Sequence, residues 1–115
     1  MSKDLLQTSV LEFEHEGKEY TVEYDRQTFK ELENAGFRAE LVPHTPLIQC
    51  DLLLRFGLKK NHPNLSERIF KELSENFFKI CAMPDFIEFS MGEYNYFMQT
   101  TQQNSEEKKF KIKAR

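Results

Sequence analysis

The chain has no Trp, only two Cys, and only four each of Gly and Pro. Each shortage excludes something. Two cysteines do not make a disulfide framework; Cys50 and Cys81 both fall on apolar positions of predicted helices, as small buried hydrophobes in a reducing compartment do. A nucleophilic thiol would need an electropositive, accessible setting. The glycines stand far apart, so there is no phosphate-binding loop, and neither His-Glu-x-x-His nor Cys-x-x-Cys occurs. His15, His44 and His62 fall at a hairpin end and in two loops, which does not point to a shared metal site. The carboxylates are spaced as helix caps and solvated faces, with no indicated catalytic dyad. No enzyme activity and no cofactor is expected.

Positive charge is also short. Sixteen Lys and Arg against 19 Asp and Glu leave a formal charge of −3, which argues against a general nucleic-acid binder. No apolar run approaches the roughly 20 residues that cross a bilayer. Met1-Ser2-Lys3-Asp4 lacks the apolar core of a signal peptide, so the expected location is cytoplasmic.

What the chain does have is phenylalanine, 11 in 115 residues, enough chain for one domain with a real core. Its most apolar run is Pro46 to Leu58. On a helix, Leu47, Leu54 and Leu58 share one side, Ile48, Leu52 and Phe56 another, and Cys50 and Leu53 a third. A helix apolar nearly all round is normally buried. This run is therefore expected to form a buried central helix over about 46–60.

The other elements follow from local signals. Val10 to His15 and Lys18 to Tyr24 flank Glu16-Gly17, a tight hairpin turn. A two-residue turn pairs His15 with Lys18, Phe13 with Tyr20 and Leu11 with Val22, and leaves Glu12, Glu14, Glu19, Thr21 and Glu23 on the other face. Asp25 caps a helix over 26–35, stapled by Tyr24 and Phe29 and closed by Gly36 with Phe37 folding back on Leu32. Ser66 caps a third helix, about 66–82, whose apolar stripe is Ile69, Phe70, Leu73, Phe77, Ile80 and Cys81, with Phe78 outside it. Met83-Pro84 is read as a break and Asp85 as the cap of a last helix, about 86–101. The fold class is α+β: an N-terminal β-hairpin packed on a four-helix remainder, compact over 1–104. Residues 1–8 are expected to fray and Thr100 to Glu107 to be loose.

Three features exceed what a minimal core requires. The last helix carries two stripes: Phe86, Phe89, Tyr96 and Phe97, then Ile87, Met91, Tyr94 and Met98. Whichever faces out, together with Phe78, would make a partner surface; a thick core taking both stripes is the other reading. The candidate partner-binding residues are Phe78, Phe89, Met91, Tyr94, Phe97 and Met98, adaptable side chains suited to a helical or unfolded segment. Second, residues 105–115 form a basic tail in which Phe110, Ile112 and Ala114 alternate with Lys and Arg. It reads as a third, edge strand beside the hairpin glutamates, in the same or a neighbouring subunit, as a disordered tail, or as a contact to nucleic acid.

The third feature is the order of elements, and it carries a resemblance. Gly17-Lys18-Glu19-Tyr20 with Val22 and Tyr24, then Arg26-Gln27-Thr28, Glu33-Asn34-Ala35-Gly36-Phe37, Pro46-Leu47, Phe56 and Leu58-Lys59-Lys60-Asn61-His62-Pro63 follow one another in the chain. The pattern, over roughly 10–100, resembles the tail assembly chaperones of long-tailed phages and prophages of Gram-positive bacteria. The C-terminus, commonly acidic in similar proteins, is basic here. The resemblance implies a non-enzymatic helper in the bacterial host cytoplasm that coats aggregation-prone helical segments of the tape measure protein and recruits the tail tube protein. A structural tail or connector component of the virion, and a small nucleic-acid-binding regulator, are the alternatives.

Overall fold

The computed structural model describes the backbone of residues 10–107 and the side chains of residues 10–98. The chain folds as an antiparallel hairpin, β1 (Val10–His15) and β2 (Lys18–Glu23), followed by four helices: α1 (Arg26–Asn34), α2 (Pro46–Lys59), α3 (Glu67–Ile80) and α4 (Met83–Glu107). A 3-10 turn, Ala39–Leu41, lies between α1 and α2. Glu16 and Gly17 both have positive φ, 51° and 80°, the conformation that matches a two-residue turn to the twist of its strands. The register is the expected one, with Leu11 opposite Val22, Phe13 opposite Tyr20 and His15 opposite Lys18. The inward face buries Phe13, Tyr20 and Val22, and the Phe13 ring meets Phe77 of α3 at 4.9 Å.

Helix α1 starts and stops as its sequence dictates. Asp25 accepts from the Thr28 N–H and hydroxyl, both at 2.8 Å. Tyr24 stacks on Phe29 at 5.0 Å. Gly36 takes φ +109° and the Phe37 N–H reaches the Leu32 carbonyl at 3.0 Å, the long bond of a Schellman close.

Helix α2 is central: it packs against β2 and against each of the other three helices. Its burial is not all round. Gln49, Cys50, Leu53, Leu54, Gly57 and Leu58 are buried, whereas Leu47 and Ile48 are 71% and 61% exposed. Leu47 shares the side of Leu54 and Leu58 but sits in the first turn of the helix, and Ile48 falls about 100° round from it.

Helix α3 is capped by Ser66, which accepts from the Ile69 N–H at 3.2 Å. It ends at Ile80, so Cys81 leaves the helical stripe in an extended conformation and is only half-buried, not the core thiol expected. Ile80 itself is exposed. The last helix begins earlier than expected. Pro84 falls within its first turn, where the missing N–H has no intrahelical acceptor. The Ala82 carbonyl accepts from Asp85 and Phe86, so Asp85 lies inside the helix and does not cap it. Nor does the helix loosen at 100; it continues to Glu107, with no Gly or Pro after Gly92 to stop it. Residues 1–9 and 108–115, where fraying and the third strand were expected, lie outside the described residues. Among the described residues the sheet has two strands, and no helix is long and apolar enough to cross a membrane.

Candidate functional site

The surface of α4 decides where apolar side chains are left over. Its buried line is Phe86, Ser90 and Glu93, continued by half-buried Phe97, positions that recur every three or four residues and so form one seam. The seam takes Phe86 and Phe97 from the first stripe, leaving Phe89 and Tyr96 on one side of it and the whole second stripe, Ile87, Met91, Tyr94 and Met98, on the other. Neither stripe faces out whole, and the buried line includes two polar residues, Ser90 and Glu93. At its centre the Tyr24 hydroxyl donates to the Leu53 carbonyl at 2.8 Å and meets the Ser90 hydroxyl at 3.0 Å, joining β2's end, α2 and α4. Burial, opposed by the Ser90 bond, pushes the Tyr24 phenol far above its ordinary range.

Three of the six expected partner residues come together in one place. Tyr94, Phe97 and Met98 of α4 face Arg26, Phe29, Lys30 and Glu33 of α1 across a cavity of about 270 Å³. Phe29 forms the floor, its ring 5.2 Å from Tyr94 and 6.1 Å from Phe97. Tyr94 donates its hydroxyl to Glu33 at 2.9 Å, and burial, then that carboxylate, raises its pKa. Met98 stays 46% exposed at the rim. Arg26 and Lys30, one turn apart, are exposed, and neither has a hydrogen bond or an ion pair among the described residues.

The other three do not line this groove. Phe78 is half-buried, edge-on to Phe77 and Phe86 at 4.9 and 5.6 Å. Phe89 leans on Tyr24 at 6.0 Å, and Met91 packs against the core edge. Like Tyr94 and Phe97, all three pack against the core. Phe29, Arg26 and Lys30 join the groove from α1, a facing of α1 and α4 that has no local signal in the sequence. Leu41, Leu47 and Ile48, around the start of α2, are exposed without any such signal either.

A second cavity of about 210 Å³, lined by Arg55, Phe56, Lys59, His62, Pro63, Leu65 and Phe70, differs in its charges. Arg55 is held by both oxygens of Glu67 at 2.8 and 3.0 Å and lies over the Phe70 ring, while Lys59 is 3.5 Å from Glu31. Its cations are already engaged.

The histidines have separate roles. His62 Nε2 accepts from the Thr21 N–H at 3.1 Å, covering part of β2's outer edge. His44 is exposed. His15 stands with Glu16 and Glu72, their ligating atoms within 4.8 Å of one another, and its buried Nε2 has no hydrogen-bond partner. Glu16 is largely exposed and Glu72 already accepts from Arg68 at 3.3 Å. Burial pushes the Cys50 thiol up to about 11 and also raises that of Cys81, the reverse of what activates a nucleophile.

Residues 1–115 match the family described as a domain of unknown function, DUF5055. No curated protein and no solved structure matches the chain.

Proposed function

The chain belongs to the DUF5055 family, and from that premise we propose that it is a non-enzymatic phage or prophage tail assembly chaperone holding apolar helical segments of the tape measure protein. The observation that carries the reading is the groove between α1 and α4, an aromatic floor beside two cations that nothing in the described structure engages. At about 270 Å³ it falls below the usual range for small-molecule sites, roughly 300–1,000 Å³. It suits a few side chains of a docked helix. Apolar anchors one turn apart would fill the floor, and carboxylates one turn apart would meet Arg26 and Lys30. The resemblance to tail assembly chaperones supplies the identity of the partner, and the acidic exterior suits a protein that keeps another in solution.

Co-expression with a tape measure fragment tests this. The wild-type chain should move the fragment into the soluble fraction, and R26E/K30E combined with M98D should leave it aggregated while the chain stays folded. A fragment equally insoluble with and without the wild-type chain overturns the proposal. So does finding the chain as a constituent of purified particles by mass spectrometry.

A further inference from the structure

Away from the groove, one buried polar atom stands without an answer. Along β1, Leu11, Phe13 and His15 alternate onto one face, and that face packs against α3. Only 14% of the His15 side chain is exposed. Among the described residues its Nε2 is the only buried side-chain nitrogen or oxygen without a hydrogen bond. Such an atom loses water and gains no partner in return.

Two carboxylates meet that nitrogen from different elements. Glu16 belongs to the hairpin turn, and its Oε2 stands 3.8 Å from Nε2, too far for a hydrogen bond. Glu72 comes from the second turn of α3, and one ligating atom from each of the three residues lies within 4.8 Å of the others. An imidazole nitrogen with two carboxylate oxygens is a donor set that zinc and its first-row neighbours accept, with water in the open position. Around a tetrahedral ion, bonds of about 2.0–2.2 Å would set these donors roughly 3.3–3.5 Å apart. Glu16 is 78% exposed and Glu72 is also open to solvent, so rotation of their side chains closes the difference. The contact from Arg68 engages Glu72 Oε2 alone, at 3.3 Å. The second oxygen is left for an ion.

The turn itself adds a cost that this site would offset. Glu16 is the one non-glycine residue with positive φ among the described residues, at 51°. Asn, Asp or Gly adopts that conformation more readily, so the glutamate stands there against local preference.

We propose that His15, Glu16 and Glu72 bind a divalent first-row transition ion, zinc being the best matched, and so clip the hairpin turn to α3. Calorimetric titration of the full chain with zinc chloride tests it, alongside denaturation with and without the ion. A single ion should bind per chain, and at free zinc 100 times its Kd the unfolding equilibrium constant should fall about 100-fold. His15→Gln and Glu72→Gln should each weaken binding about tenfold or more. Glu16→Asn separates the site from mere packing: it should stabilise the metal-free chain by relieving the turn, yet lose the response to zinc. Cys81→Ser and His44→Gln should leave that response intact. A wild-type chain that zinc does not stabilise, or a full response in His15→Gln, Glu72→Gln or Glu16→Asn, overturns the proposal. So does loss of the response in Cys81→Ser or His44→Gln.

Discussion

Gly57 shows what one missing side chain permits. In a helix interior, glycine costs about 1 kcal/mol against alanine, and from the sequence that is all it offers. In the fold, a Cβ at this position would lie 2.6 Å from Val22 Cγ1 and 3.0 Å from Tyr24 Cζ. The glycine lets the hairpin lie directly on α2, close enough for Tyr24 to reach the Leu53 carbonyl. Gly57→Ala should therefore lose about 1–3 kcal/mol despite its better helix propensity, since overpacking outweighs it. Urea unfolding midpoints check this, and a stabilised variant would mean that the strand has room to retreat. The reason for Gly57 was not legible in the sequence, because its partners lie some 35 residues away.

Elements with local signals were legible and those defined by their partners were not. The hairpin register and both ends of α1 follow from a turn, a cap and a left-handed glycine, all within a few residues of what they control. Asp25→Ala should cost about 1 kcal/mol by removing the cap, measured by chemical denaturation. The same substitution with Thr28→Ala should add little, because both Thr28 groups bond the same Asp25 oxygen. Helix α4 was misread for the opposite reason. Its buried seam joins Phe86 and Phe97 through the polar Ser90 and Glu93, so hydrophobicity alone divides the helix into two stripes and does not mark its inner face. Half of the groove was visible in Tyr94, Phe97 and Met98; the half on α1 needed the fold.

For the whole molecule, acid should act in two stages. Burial, then the charge of Lys18, lowers the His62 pKa. The folded state then binds that proton less tightly than the unfolded chain, so this contribution is complete above the ordinary 6.5 and is lost as pH falls through the lower folded value. Asn61, then Lys60, holds the Glu23 carboxyl below its ordinary 4.5, and that contribution is lost only as pH falls further. Denaturation midpoints followed from pH 8 to pH 3 should drop first below about 6.5 and again below about 4.5. His62→Gln keeps an acceptor for Thr21 and should abolish the first drop alone.

The Tyr24 hydroxyl is where hairpin, central helix and final helix are pinned to a single oxygen. Tyr94 is one turn beyond that pin, so the α4 wall of the groove takes its height and rotation from the same pair of bonds. A partner of the proposed kind would meet that wall already in place and would be selected by its fit to it.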